Sequence, residues 1–120
     1  MSSPIVRLDT NPRFSEAVVH NGVIYLAGQV PEATELGDAH TQMRSICLQI
    51  ERLLERAGSD KSRLLSATIY LKSFESFAAM NEVWTAWLPE GAAPARATVG
   101  SVSLAKDEWL IEVQCTAAVK

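Results

Sequence analysis

Asn21-Gly22 stands between two short apolar runs, Ala17-Val18-Val19-His20 and Val23-Ile24-Tyr25-Leu26-Ala27. Asn-Gly supplies the positive φ at both positions of a type I′ turn, whose twist suits a pair of right-twisted strands. The chain therefore begins with a β-hairpin, and whatever follows must pack on that sheet. Gly28-Gln29-Val30-Pro31 ends the second strand, because proline has no N–H for a ladder. A further short strand is expected in front, from Ile5 to Leu8.

Helical spacing then takes over. From about Asp38 to Ala57 the apolar positions are Met43, Ile46, Cys47, Ile50, Leu53 and Leu54, one stripe of a helix, and Gly58 suits its C-terminal cap. Ser66 to Leu71 reads as a strand. A second helix follows, with Ser73 or Ser76 as its N-cap. Phe77, Met80, Val83, Trp84, Trp87 and Leu88 form its apolar face, and Pro89-Glu90-Gly91 stops it. Ala95 to Val99 and Trp109 to Val119 are the last two strands.

The order ββαβαββ, with the extra strand in front, is that of an α+β fold: a mixed β-sheet with two helices packed on one face. A length of 120 residues and a hydrophobic share of 48% suit a single domain, 1–120, built on one core. Two helices cover only one sheet face. Yet Val23 and Tyr25 oppose Ile24 and Leu26, and Thr68 and Tyr70 oppose Ile69 and Leu71, so the strands are apolar on both sides. The second face is therefore expected to be partly buried against another copy of the chain.

Charge narrows the choice of partner. The net charge is −3, and Arg7, Arg44, Arg52, Arg56, Lys61 and Arg63 are spread among acids. Nucleic-acid binding needs clustered cations, so no nucleic acid is expected. No run approaches membrane-spanning length and Met1-Ser2-Ser3-Pro4 has no apolar signal core, so neither a membrane nor export is expected, and the cytoplasm is the expected location. Cys47 and Cys115 both fall on apolar stripes and are expected as buried free thiols. No metal-ligand spacing, phosphate-binding glycine loop or G-x-S-x-G is present, so neither metal nor cofactor is expected.

One cation stands apart. Arg96 lies in Ala93-Pro94-Ala95-Arg96-Ala97-Thr98-Val99-Gly100, among small and apolar neighbours. Strand alternation puts Arg96 with Thr98 and Gly100 on one face. In the final strand Glu112 shares the polar face with Gln114 and Thr116. If these two strands pair as a hairpin, Arg96 and Glu112 lie on a common face. Spacing alone favours a solvated cross-strand pair there, worth under ~1 kcal/mol. By the same standard Asn81 is an exposed helix residue, Gly28 a strand-end glycine, His20 a hairpin residue and His40 a solvent-facing one.

Four segments in this order change that balance: Arg13-Phe14-Ser15-Glu16-Ala17-Val18; Tyr25-Leu26-Ala27-Gly28-Gln29-Val30-Pro31; Phe77-Ala78-Ala79-Met80-Asn81 with Trp84; and Pro94-Ala95-Arg96-Ala97-Thr98-Val99, completed by Leu110-Ile111-Glu112-Val113. With them the whole chain resembles the RidA/YjgF/YER057c (L-PSP) family of reactive-intermediate deaminases. The resemblance implies a chorismate-mutase-like fold and a homotrimer with inter-subunit clefts. The implied activity is hydrolysis of small 2-imino acids to 2-keto acids and ammonia, without metal or organic cofactor.

Carried over residue by residue, Arg96 matches the arginine that holds the substrate carboxylate, a task for a planar fork of donors. Glu112 matches the acid that orients the attacking water. Gly28 matches a position whose N–H meets the ligand, Thr98 one whose hydroxyl can donate, and Asn81 an asparagine near the cleft. Phe14 would wall the pocket from the neighbouring subunit; many members carry Tyr there. Three rival readings remain: a non-catalytic binder or sensor of 2-keto acids, an endoribonuclease, and an interaction module that docks on a partner enzyme.

Overall fold

The computed structural model describes residues 3–120. Six strands form one mixed sheet in the order β1-β2-β3-β6-β4-β5. They are β1 (Val6–Thr10), β2 (Ser15–His20), β3 (Val23–Leu26), β4 (Leu64–Leu71), β5 (Ala95–Val99) and β6 (Ile111–Ala118). Two helices complete the fold, α1 (Ala39–Arg56) between β3 and β4, and α2 (Phe77–Trp87) between β4 and β5.

The local punctuation acts as expected. Asn21 and Gly22 adopt φ of 50° and 78°, and His20 pairs with Val23 across the turn. Asp38 caps α1 by accepting from the Thr41 N–H at 2.9 Å. Gly58, at φ 90°, ends it, and the Ser59 N–H returns to the Leu54 carbonyl at 2.9 Å. The second helix differs: Ser76 precedes α2 without a side-chain capping hydrogen bond, and Ser73 accepts from the Glu75 N–H to cap instead a short 3₁₀ turn, Phe74–Ser76, that leads into α2. The strand expected at Trp109 begins at Ile111 instead, because the Trp109 N–H is held in a turn by the Lys106 carbonyl at 3.2 Å.

Every fully buried strand residue falls on one face. Ile24, Ile69, Leu71, Ile111, Val113 and Cys115 are all wholly enclosed there, or nearly so, under Met43, Ile46, Ile50 and Leu54 of α1 and Met80 of α2. At about 1.5–3 kcal/mol for each large side chain taken from water, this layer dominates the stability. Among the described residues no helix covers the opposite face, where the 102–105 segment meets only Tyr70, Glu112 and Gln114 at one end. Tyr25 and Val99 are 48% and 41% exposed on it, beside hydroxyl-bearing neighbours such as Ser66 and Thr116.

One expectation fails. β5 and β6 do not form a hairpin. β5 runs parallel to β4, as a strand reached through a helical crossover must, and β6 pairs antiparallel with both β3 and β4. The chain from Gly100 to Leu110 carries it past β4, so β4 separates the two strands.

Candidate active site

The register decides which residues meet. Arg96 and Cys115 both stand level with Ala67, on the core face; Glu112 and Val99 stand level with Tyr70, on the open face. Arg96 and Glu112 are therefore on opposite faces. They are also about 10 Å apart across two strand spacings and about 10 Å along the strand direction. The common face suggested by a hairpin does not exist.

The open face gathers one cluster. Glu112 sits on β6 immediately before Val113, the bridge partner of Gln29, and shares the open face with Gln114 two residues on. Its carboxylate lies directly over Gly28: a Cβ at position 28 would stand 2.2 Å from Glu112 Oε2. A side chain at position 28 would displace the carboxylate from this place. On either side of Gly28, the Ala27 N–H donates to the Glu16 carbonyl and the Gln29 N–H to the Val113 carbonyl, at 2.9 and 2.8 Å. The Gly28 N–H itself makes no hydrogen bond among the described residues. Gly28, Tyr70, Glu112, Gln114 and the 102–105 segment line an open cavity of about 330 Å³, enough for a small organic molecule and water. It holds an anionic acceptor beside a free backbone donor.

A second cluster forms at the far margin of the sheet. Arg96, on the edge strand β5, donates from Nη1 to Asn81 Oδ1 of α2 at 2.8 Å and lies 3.8 Å from Met80 Sδ. The guanidinium borders a depression of about 400 Å³ between the end of α2 and the Gly91–Pro94 segment. Thr98 shares its face, level with Ile69. One side of this cation is thus fixed by an uncharged acceptor, and its charge is not neutralised by Asn81.

Phe14 joins neither cluster. Asn11 Oδ1 accepts from the Arg13 and Phe14 N–H groups at 2.8 and 3.1 Å, a tight turn that presents the Phe14 ring outward, 52% exposed. It lies between β1 and β2, at the opposite margin from β5, roughly 20 Å from Arg96 by strand spacing. Tyr70 and Gln114 were not anticipated from the sequence as site residues. Their place depends on β6 lying beside β4, for which neither segment carries a local signal.

The cysteines offer no nucleophile. Burial pushes both the Cys47 and Cys115 thiols up to about 12. Among the described residues no group of three or more His, Cys, Asp or Glu is assembled, and no helix is long and apolar enough to cross a membrane. His40 is not simply solvent-facing: its Nε2 lies 3.1 Å from Glu82 Oε2, on the rim of a groove of about 340 Å³ between α1 and α2 that shares no residue with either cluster.

Comparison with known proteins places this geometry. The family described as Endoribonuclease L-PSP matches residues 4–119. The RutC family protein YoaB of Escherichia coli is 43% identical over 115 residues, covering 96% of this chain and 98% of that protein. A RutC family protein of Haemophilus ducreyi is 39% identical over 115 residues, covering 96% and 97%. A crystal structure of a YjgF family member from Neisseria meningitidis superposes with a TM-score of 0.92 at 44% identity, covering 98% of this chain and 96% of that one.

Proposed function

The chain belongs to the L-PSP (RidA/YjgF) family, and from that premise we propose that it hydrolyses small 2-imino acids to 2-keto acids and ammonia. The observation that carries the reading is the Glu112 carboxylate seated against Gly28 in a cavity of about 330 Å³. A carboxylate at such a place can hold a water by hydrogen bonding and accept its proton. The water oxygen bonds to the imine carbon, giving a carbinolamine. The C–N bond then breaks, nitrogen leaves as ammonia with the protons it has gathered, and the carbonyl remains. Because an iminium is already electrophilic, positioning and charge complementarity supply most of what the reaction needs.

The reaction also needs an anchor for the substrate carboxylate, and Arg96 has the bidentate geometry for it. Within one copy Arg96 and Glu112 are on opposite faces. The reading therefore requires the Gly28–Glu112 half of one copy to meet the Arg96–Asn81 half of another, in the homotrimer that the family resemblance implies. The uncovered sheet face with half-exposed Tyr25 and Val99 supports such an assembly. The exposed Phe14, remote from Arg96 in its own chain, is suited to walling a cleft between copies.

The family description also names ribonuclease activity. Against it stand the net charge of −3 and a cavity whose one charged lining residue is the acidic Glu112. The deciding experiment generates imines in situ with an amino-acid oxidase and follows their lifetime by semicarbazide trapping. Wild type is expected to shorten that lifetime and Arg96→Ala to leave it unchanged. Equal lifetimes with wild type and without protein would leave a carboxylate binder as the function.

A further inference from the structure

The cavity around Glu112 has two titratable lining residues, Glu112 and Tyr70. They are direct cross-strand partners, Tyr70 on β4 and Glu112 on β6, so both side chains rise from the same level of the open face. The Cβ atoms of such partners stand about 4.5–5.5 Å apart. Gln114, the next open-face residue on β6, has its amide N–H groups engaged by the carbonyls of Leu26 and Cys115, at 3.1 and 3.0 Å. Neither the Tyr70 hydroxyl nor the Glu112 carboxylate hydrogen-bonds to protein among the described residues, though Tyr70 is half-buried. A half-buried phenol and a carboxylate that share a cavity, each without a protein partner, have water as their remaining common partner.

We propose that Tyr70 is the second water-holding residue of this site, its phenolic O–H and the Glu112 carboxylate gripping one water in the cavity that both residues line with Gly28. The proposal rests on the deaminase reading for its catalytic meaning, though the Tyr70–water–Glu112 bridge itself does not. In the bridge the phenol donates to the water oxygen and the water donates to the carboxylate. Two fixed partners orient the water lone pair that must face the imine carbon, whereas one partner leaves the water free to swing. When the water adds, its proton passes to Glu112. The phenol keeps its own proton and continues to donate to the oxygen of the carbinolamine. Tyr70 sets the direction of attack and leaves carboxylate binding to Arg96, so its removal should act on turnover and spare substrate affinity.

Tyr70→Phe removes the hydroxyl and keeps the ring, so the fold is expected to survive, as circular dichroism and thermal melting will show. Two measurements follow. In the first, the Glu112 carboxyl is titrated by carbon-13 NMR in wild type and variant. A bridged water favours the ionised carboxylate, so the midpoint is expected to rise in Tyr70→Phe. In the second, imine hydrolysis is followed by semicarbazide trapping, with kcat expected to fall roughly tenfold at nearly constant KM, the scale of one well-aligned hydrogen bond. A Glu112 titration that does not move overturns the proposal, whether or not the protein turns over imines. Full kcat in Tyr70→Phe, with an active wild type, overturns its catalytic part. An inactive wild type overturns the deaminase reading instead, and the titration alone then decides the bridge.

Discussion

Arg96 and Glu112 point to opposite faces of one sheet, with β4 between their strands. Neither can assist the other inside a single chain. Any reaction that uses both must draw them from different copies, and this separates a shared site from two independent ones.

Mixed variants test that separation. Arg96→Ala and Glu112→Gln should each be nearly inactive alone. Allowed to exchange subunits in equal amounts, they should recover about a quarter of wild-type imine hydrolysis, because each site draws its two halves at random from two copies. Recovery close to zero, with exchange verified by mass spectrometry, would place both groups in one copy's site and contradict the register.

Gly28→Ala probes the floor of the cavity. The added methyl would stand 2.2 Å from Glu112 Oε2 and 3.0 Å from its Cδ. Those atoms end a flexible side chain, so the carboxylate can swing away at small cost. Stability should change by less than ~1 kcal/mol, as for a surface substitution. Activity should fall by at least about tenfold, because the displaced carboxylate no longer holds water where it reacts. Thermal melting paired with the imine assay checks both halves; normal activity would mean that the position of Glu112 is unimportant.

The parts of this molecule that were legible in the sequence are those with local causes. Asn21-Gly22, Asp38 and Gly58 each act within a few residues, and the structure turns or caps at all of them. Strand alternation was legible too: Arg96 does share a face with Thr98, and Glu112 with Gln114. What alternation cannot supply is which of two faces a strand's odd residues take, since that depends on the neighbouring strand. The antiparallel β6 enters between β3 and β4, and this placement sends Glu112 to the open side and brings it level with Tyr70. The hydrogen bond from Arg96 to Asn81 was equally hidden, because it joins an edge strand to a helix through tertiary packing.

Acid should expose a different anchor. Asp60 accepts from the Ser62 hydroxyl and N–H, and its Oδ2 lies 3.2 Å from Lys120 Nζ. These contacts, the Ser62 hydroxyl first, hold the Asp60 pKa down at about 2, against an ordinary 3.8. The native state thus binds this proton more weakly than the unfolded chain. The stability Asp60 contributes is complete above the ordinary value and is lost as pH falls through about 2. Asp60→Asn should therefore be less stable than wild type at neutral pH, and the gap should close between pH 3.8 and about 2. Thermal melts at intervals from pH 6 downward, to about pH 2, would show a constant gap if the carboxylate plays no such part.

Asn81 offers the finest test of how the cation is prepared. Its Oδ1 holds Arg96 Nη1 at 2.8 Å without cancelling the charge. Asn81→Ala frees the guanidinium to rotate, so the substrate carboxylate must order it on binding. The expected result is a KM several-fold higher, at nearly unchanged kcat, since carboxylate binding is common to ground and transition states. Asn81→Asp should be worse than Asn81→Ala, although it preserves the acceptor. Its carboxylate would pair with Arg96 and compete with the substrate for the same fork of donors. Raised salt should partly relieve Asn81→Asp and leave Asn81→Ala unimproved, because only the former opposes binding through charge. If the two variants instead share one KM at every ionic strength, Arg96 does not receive the carboxylate and the anchor lies elsewhere on the edge of β5.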